Sequence, residues 1–428
     1  MISEKEAISM RLMVENIAKI KKADIECNGI TIIAGENNTG KSTIGKILFS
    51  VFNSLCNIDK KIIKEKEDAL FNLCQRAFYI FSPSENLNYT LLSEYIKEFL
   101  KNPQMYIENS KEISNKLKEI YGENFDEPEL LNLARNIVEI LQITNETMYN
   151  RIILRYFISE FNGQINNIYD DNNSEGNIKL IIKDKTSAIK IKNNSIAEYS
   201  NLHILQSEAI YIDDPFVVDE VKIQNKSLYR ITNNPSHRHH LITKLFPENA
   251  KATIPDEIIT NNKLDKIYEK INSVCDGTVV SDSSVLQYQK RNSSTKLNIT
   301  SVSTGLKTFV IIKQLLMNGY LKHNGTVILD EPEIHLHPEW QLLFAELIVL
   351  IQKEFNMHIL LNTHSPYFMK AIEVYASKYE IADKCKYYLT SMEDEASIIK
   401  DVTENPEEIY KLLARPLQDL ENARYEND

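Results

Sequence analysis

The chain has 428 residues, of which 43% are hydrophobic and 25% charged, and its formal net charge is −11 at pH 7. These values are typical of a globular protein with one elaborated domain or two, and the acidic total does not indicate nucleic-acid binding. The sequence has no apolar run long enough to cross a bilayer, no signal region after its polar start and no metal or redox spacing among its five cysteines, so we expect a cytoplasmic protein without membrane contact.

The N-terminal segment has the pattern of β structure followed by a helix. Residues 9–34 carry apolar positions on either side of a turn at 27–29 and predict a hairpin or short meander. The apolar run at 30–34 predicts a strand, and residues 41–55 predict a helix.

Residues 35–42, between this strand and this helix, read Gly-Glu-Asn-Asn-Thr-Gly-Lys-Ser, which is the pattern of a phosphate-binding loop. The glycines let backbone N–H groups converge on phosphates, and the start of the helix adds positive potential. Lys41 would reach the β- and γ-phosphates, and the Ser42 hydroxyl would bind Mg²⁺. The loop therefore predicts a nucleotide site made of Gly35, Asn37, Asn38, Thr39, Gly40, Lys41, Ser42 and Thr43.

From about residue 60 to 168 the apolar residues recur three and four positions apart, as in helices. No heptad pattern is sustained, which favours a compact helical insertion over a coiled-coil arm. We therefore expect an N-terminal lobe with the phosphate-binding loop at 1–58, a helical insertion at 59–168 and a C-terminal lobe at 169–428. The insertion would serve recognition or, alternatively, form a lid packed on the core.

After the insertion the apolar period changes to two, which indicates strands at 188–192 and 209–212. Residues 225–260 read as loops with one short helix. A helix near 262–274 and strand-like segments near 278–291 and 296–300 follow.

The last 130 residues alternate strands, such as 326–329 and 358–362, with helices beginning after Gly305, Pro338 and Pro366. This alternation favours a parallel sheet, in which ligands bind at the carboxyl ends of the strands. The predicted fold is α/β, with a mostly parallel core sheet, an antiparallel β-subdomain and the helical insertion.

An acidic pair ends the apolar strand at 326–329. Such a strand, buried on both faces, would project Asp330 toward Mg²⁺ and place Glu331 to polarise an attacking water as general base. The alternative is a strand followed by an ordinary acidic turn, but a phosphate loop in the same chain favours the catalytic interpretation.

Two further segments lie at element ends near this pair. Ser303 and Gly305 begin a helix about 25 residues before Asp330, where an N-cap followed by a glycine turn is the alternative interpretation. His364 ends the strand that follows the acidic pair, and from the neighbouring strand it would face the same γ-phosphate.

Together these motifs resemble the ABC-type ATPases of the SMC/RecF group. More narrowly, the run 328–338 (Ile-Leu-Asp-Glu-Pro-Glu-Ile-His-Leu-His-Pro) and the sequence Thr-His-Ser-Pro at 363–366 resemble stand-alone ATPases of bacterial phage defence, such as PtuA of Septu and the ATPase domain of overcoming-lysogenization-defect nucleases. The resemblance covers roughly 9–60 and 205–420.

The resemblance implies roles for particular residues and a homodimer or higher homo-oligomer that binds ATP between subunits. Ser303 and Gly305 match the signature that grips the γ-phosphate of the partner's ATP, although Thr304 replaces the usual glycine, and Lys307 matches the basic residue after it. Residues 333–337 match the loop that crosses the dimer interface. His364 matches the switch histidine, and Gln164 is the candidate for the metal-binding glutamine.

Two other clusters are set aside. The sequence His-Arg-His-His at 237–240 lacks evident acidic or cysteine partners for a metal site, so we interpret it as a polar loop. Asp213 and Asp214, followed by Glu220 and Lys222, superficially match a nuclease core, but their spacing is short and Pro215 interrupts the strand.

Three functional hypotheses follow. The first is an ATPase that senses phage infection and regulates a separate effector, such as a nuclease, in which case nucleic acid is a possible ligand. The second is a DNA-repair ATPase of the RecF type that binds DNA ends or gaps. The third, a self-contained nuclease or toxin, is the weakest because no second catalytic constellation is evident.

Overall fold

The computed structural model describes residues 9–81, 87–121, 126–167, 169, 175–220, 235–246, 254–282 and 285–425. The chain forms two compact units. The first, called the ATPase unit here, comprises Met1–Leu55, Leu154–His203 and Ser207–Asp428. The second, the helical unit, comprises Cys56–Ile153 and Ile204–Gln206. The division falls after Ile153, rather than at the predicted position 168.

The elements follow the predicted order closely. The strands are β1 Met10–Ile17, β2 Ile20–Glu26, β3 Ile30–Ala34, β4 Gly176–Ile182, β5 Lys185–Lys192, β6 Ser195–Ser200, β7 Ala209–Ile212, β8 Thr278–Asp282, β9 Val285–Gln289, β10 Lys296–Asn298, β11 Thr326–Asp330, β12 His358–Thr363, β13 Cys385–Glu393 and β14 Ala396–Asp401. The helices are α1 Lys41–Leu55, α2 Ile58–Phe81, α3 Tyr89–Lys101, α4 Pro103–Glu108, α5 Ser110–Tyr121, α6 Glu127–Gln142, α7 Asn145–Phe161, α8 His237–Leu245, α9 Ile254–Val274, α10 Thr304–Met317, α11 Pro338–Phe355, α12 Pro366–Lys378 and α13 Glu407–Tyr425.

Eleven strands form one mixed sheet in the order β6-β5-β4-β1-β2-β14-β13-β3-β12-β11-β7. The neighbours β13, β3, β12, β11 and β7 are all parallel, which confirms the predicted parallel core. The antiparallel strands β6 to β2 continue this sheet rather than forming a separate one. Strands β8, β9 and β10 form a separate antiparallel sheet.

The central strands are buried along their whole length, and most of their residues are aliphatic. Every residue of β3, β11 and β12 is buried, as expected for parallel strands covered on both faces. Helix α1 packs on β7, β11 and β12. Phe309, Phe344 and Phe368, from α10, α11 and α12, join the main hydrophobic core. Each fully buried side chain of this size contributes about 1.5–3 kcal/mol to stability.

The register of the parallel strands places three chain segments side by side. Asp330 pairs with Asn362, and Thr363 pairs with Ala34. Since parallel strands end at one edge of the sheet, the phosphate loop after β3, the acidic pair at the end of β11 and His364 after β12 meet at that edge.

The helical unit has a hydrophobic core of its own. It is formed by residues of α2 to α6 such as Leu70, Phe99, Leu117 and Leu130. The buried Tyr121 hydroxyl donates to the Cys74 carbonyl at 2.9 Å, so its polar group is satisfied within the unit.

Among the described residues, no helix combines the length and the apolar character that a membrane crossing requires. All five cysteines are buried free thiols.

Candidate nucleotide-binding site

The phosphate loop is held in shape by close packing at its glycines. Gly40 has φ of 86°, and a Cβ atom there would lie 2.6 Å from Ile20 Cδ1. A Cβ atom at Gly35 would lie 2.1 Å from Thr390 Oγ1. Both positions therefore require glycine, and the loop backbone is fixed against β13 and the β1–β2 hairpin.

Lys41 lies inside this loop. Its side chain is 4% exposed, and Nζ donates to the carbonyls of Gly35 at 3.0 Å and Glu36 at 2.8 Å. Nζ also lies 3.9 Å from Glu331 Oε1. Burial lowers the pKa of Lys41, and the carboxylate of Glu331 opposes that shift. The lysine thus links the loop to the acidic pair.

Asp330 is a buried carboxylate with both oxygens hydrogen-bonded. Oδ2 accepts a hydrogen bond from the Tyr211 hydroxyl at 2.8 Å, and Oδ1 accepts one from the Asn362 amide at 3.0 Å. The Tyr211 oxygen also lies 3.4 Å from the Ser42 carbonyl oxygen. The two predicted magnesium ligands, Ser42 and Asp330, therefore share one tyrosine as a neighbour.

Glu331 adopts the left-handed backbone conformation, with φ of 48°, and its N–H donates to the Asn362 carbonyl at 2.9 Å. This conformation is unfavourable for a residue other than glycine and is concentrated at functional sites. Glu331 Oε1 lies 3.2 Å from His364 Nδ1. The structure therefore brings together the predicted base, the predicted switch histidine and Lys41.

Glu333 is the first residue of the loop at 333–337, which is predicted to cross the dimer interface, but its side chain is buried. Its side chain is 2% exposed and accepts a hydrogen bond from the Thr363 hydroxyl, and burial raises the pKa of its carboxyl group. Ile334, the next residue, is 51% exposed. Glu333 thus faces the switch-histidine segment, while the apolar side chain beside it faces outward.

The segment that begins at Ser303 and resembles the ABC signature packs on the loop at 333–337. Ser303 is the exposed N-cap of α10 and makes no side-chain capping bond. A Cβ atom at Gly305 would lie 3.0 Å from the His335 carbonyl and 3.2 Å from the Trp340 ring, so glycine permits the close approach. Lys307 is buried and pairs with Asp219 at 2.7 Å, so its charge is used within the chain.

Gln164, predicted as a metal ligand, is not joined to the site by any contact among the described residues. It is exposed after α7, and the carbonyl of the next residue, Ile165, accepts a hydrogen bond from the Ala18 N–H at 2.7 Å. Its role in metal binding stays a prediction.

The prediction of a polar loop at 237–240 is wrong, because these residues begin a helix. His237 begins helix α8 and is only 7% exposed. Its Nδ1 lies 2.7 Å from Glu160 Oε2, and its Nε2 lies 3.1 Å from Asp213 Oδ2. Asp213 also pairs with Arg238 at 2.9 Å, so the aspartate once considered for a nuclease core is engaged in ion pairs. Lys222 of that pattern lies outside the described residues.

The pH dependence of the free energy of unfolding tests the ion pairs of His237. Burial lowers its pKa, but Asp213 and Glu160 more than offset this and raise the pKa from 6.5 to about 9. Because the folded-state pKa is the higher one, the stabilisation is complete below 6.5 and is lost as the pH rises through about 9. We expect His237→Gln to lower the free energy of unfolding by about 2–3 kcal/mol near neutral pH and by less at higher pH.

Denaturant unfolding of wild type and His237→Gln, compared between about pH 6 and pH 10, measures this difference. A difference in unfolding free energy that stays constant across the range would contradict the assignment of a protonated histidine between Glu160 and Asp213.

A glycine loop between a buried strand and a helix, facing an acidic pair on a parallel strand, defines a P-loop ATPase. This class is confirmed by comparison with known families. The family model of the AAA ATPase domain matches residues 10–369, and the chain belongs to this family. The family is one of ATPase domains, in agreement with the loop and the acidic pair.

Individual relatives are more distant. The Retron Vc95 probable ATPase of Vibrio cholerae serotype O1 biovar El Tor is 28% identical over 146 residues, which cover 33% of this chain and 26% of that protein. The matched part is thus about a quarter of that relative's length. Among solved structures, the SMC head domain from Thermotoga maritima is 11% identical, with a TM-score of 0.41 and coverage of 92% of this chain and 99% of the other. The Smc head domain with an extended coiled coil from Pyrococcus furiosus is 12% identical, with a TM-score of 0.42 and coverage of 98% and 99%.

Proposed function

We propose that two copies of this chain bind ATP and Mg²⁺ between them, hydrolyse the ATP and thereby regulate a separate effector, such as a nuclease, in cytoplasmic defence against phage. The observation that carries the catalytic part is the cluster of Lys41, Glu331 and His364, in which Glu331 Oε1 lies 3.9 Å from the lysine and 3.2 Å from the histidine. The regulatory part rests on the motif resemblance and on the similarity to a retron ATPase.

The residues at the sheet edge fit a magnesium ion. Mg²⁺ prefers oxygen ligands, and the Asp330 carboxylate and Ser42 hydroxyl are such donors on two segments that both approach Tyr211. Bound there, the ion would neutralise charge on the β- and γ-phosphates. The buried position of Asp330 keeps the carboxylate fixed and protected from competing water.

Side chains of this protein would accept the proton of the attacking water and neutralise the charge of the phosphates. Glu331 accepts a proton from the attacking water. At the same time the water oxygen forms a bond to the γ-phosphorus, and the bond between this phosphorus and the ADP oxygen breaks. Lys41 supplies positive charge beside the phosphates. His364, in contact with Glu331, orients this base toward the γ-phosphate.

The proposal of two copies rests on two surfaces of the chain, the phosphate loop and the exposed start of α10. Within one chain, the phosphate loop covers the triphosphate from one side only. Ser303 is exposed at the start of α10, whose first N–H groups favour an anion, and Ile334 presents an apolar side chain from the adjacent loop. A twofold pair would bring the Ser303 surface of one copy against the ATP of the other.

A complementation experiment tests this arrangement. Lys41→Ala should lack nucleotide binding, and Ser303→Arg should block the opposite surface, so each homodimer is inactive. Mixed subunits contain one intact composite site in the heterodimer, and we expect partial recovery of ATPase activity. Continued inactivity in mixtures shown to exchange subunits would contradict the composite site.

For the regulatory role, we assign recognition of the effector or trigger to the helical unit, which carries no nucleotide motif. Co-expression with the product of the adjacent gene, followed by purification of the complex, tests the effector hypothesis. A protein that binds no such product, and whose ATPase activity is stimulated by DNA ends, would instead be a RecF-like repair ATPase.

A further inference from the structure

Tyr211 is a fully buried tyrosine whose hydroxyl contacts the Asp330 carboxylate and the backbone of Ser42, the two residues predicted to bind magnesium. It donates to Asp330 Oδ2 at 2.8 Å and lies 3.4 Å from the Ser42 carbonyl oxygen. Ser42 belongs to the loop end and Asp330 to a separate strand, so the tyrosine lies where these two segments approach each other. The hydroxyl has one hydrogen and donates it to Asp330, so it fixes that carboxylate, while the Ser42 backbone is a packing contact.

The surrounding residues leave room for this hydroxyl and little else. A Cβ atom at Gly45 would lie 3.1 Å from the Tyr211 oxygen and 3.0 Å from Ile328 Cγ2, so glycine in α1 makes the space. The Phe49 ring, one turn further along α1, packs with its centroid 6.2 Å from that of Tyr211. The position of the tyrosine is thus specified by close packing on the helix that follows the phosphate loop.

The Tyr211 ring also stacks on His237, with ring centroids 4.4 Å apart and planes tilted by 25°. His237 is itself held from both sides, by Glu160 at 2.7 Å and Asp213 at 3.1 Å. Asp213 directly follows β7, the strand that carries Tyr211. The Glu160–His237–Asp213 bridge therefore fixes the plane against which the tyrosine ring lies.

We propose that Tyr211 is a positioning residue for the metal site: its hydroxyl fixes the Asp330 carboxylate in the orientation in which it would bind Mg²⁺, and the Glu160–His237–Asp213 bridge holds the tyrosine ring. This inference rests on the proposed magnesium-dependent ATPase site and adds to it the buried residues that set its geometry. The hydroxyl donates its hydrogen to Asp330, so its effect would pass through that carboxylate.

The test uses Tyr211→Phe, which keeps the stacked ring and removes only the hydroxyl. We expect the Mg²⁺ concentration for half-maximal ATP hydrolysis to rise about three- to tenfold, the loss expected for one hydrogen bond, with hydrolysis restored at saturating Mg²⁺. Mn²⁺ titrated into the protein with equimolar ADP, and followed by electron paramagnetic resonance, should bind more weakly by the same factor. ADP affinity in chelator should equal that of the wild type.

Tyr121→Phe is the matched control, because it removes another buried tyrosine hydroxyl, bonded to the Cys74 carbonyl in the helical unit. It should lower thermal stability to a similar degree and leave Mn²⁺ affinity unchanged.

Glu160→Gln tests the bridge: it should weaken Mn²⁺ binding by about two- to threefold alone and add less than that in the Tyr211→Phe background, since both act on one element.

Wild-type Mn²⁺ affinity in Tyr211→Phe would overturn the inference while leaving the proposed ATPase site intact. Fully multiplicative effects of Glu160→Gln and Tyr211→Phe would overturn the role of the bridge. A wild-type protein that binds ADP but no Mn²⁺ would instead remove the magnesium site itself, and both proposals with it.

Discussion

Replacing Glu331 by glutamine is expected to slow ATP hydrolysis by about 10²–10⁴-fold, the range typical for loss of a general base. The glutamine keeps the size of the side chain and its hydrogen bonding but cannot accept the proton of the attacking water. Lys41 and the phosphate loop are untouched, so ATP should still bind. Single-turnover hydrolysis together with equilibrium nucleotide binding separates the two effects.

Glu339→Gln is the control, because the same chemical change is made on an exposed glutamate in the first turn of α11. It should hydrolyse ATP at the wild-type rate. Wild-type turnover by the Glu331→Gln protein would contradict the assignment of the acidic pair as metal ligand and base.

Lys41→Ala is expected to abolish ATP binding, with a fall in affinity of at least about 100-fold. The lysine is almost completely buried, and it is the cation that the loop places beside the phosphates. Removing it takes away charge-assisted hydrogen bonds worth about 1.5–3 kcal/mol each. Isothermal titration with ATP and Mg²⁺ measures the loss.

The control is Lys46→Ala, a partly exposed lysine of the same helix. It should retain nucleotide affinity within about twofold, since a lysine on the solvent side of α1 contributes little to a buried anion site. Equal loss in both variants would indicate damage to α1 rather than a missing phosphate contact.

The core of the site was predictable from the sequence because its signals are local. A phosphate loop is eight consecutive residues between a strand and a helix, and Asp330 and His364 each end an apolar strand. The parallel pairing of β3, β12 and β11 then follows from the strand–helix alternation, and it brings these residues to one edge.

The supporting residues could not be predicted because their partners are distant in the sequence. Tyr211 lies 119 positions from Asp330, and Glu160 lies 77 positions from His237. An apolar strand containing a tyrosine carries no signal for the partner of its hydroxyl. Likewise, the buried Lys307 pairs with Asp219, which tertiary structure places 2.7 Å away.

The histidine cluster shows how a local interpretation fails. Four polar residues after a proline and a serine resemble a surface loop, yet Ser236 caps α8 and His237 is buried by ion pairs. The prediction missed this because the carboxylates that pair with the buried histidine, Glu160 and Asp213, belong to other segments of the sequence.

The central claim, that ATP is bound between two copies of the chain, is tested most directly by light scattering on the Glu331→Gln protein. This variant should hold ATP without hydrolysing it, so the composite site persists. We predict a mass of twice the 49.5 kDa chain with ATP and Mg²⁺, and a return to a lower mass when Ser303→Arg is added. A Glu331→Gln protein that is saturated with ATP and still has the mass of one chain would contradict the account.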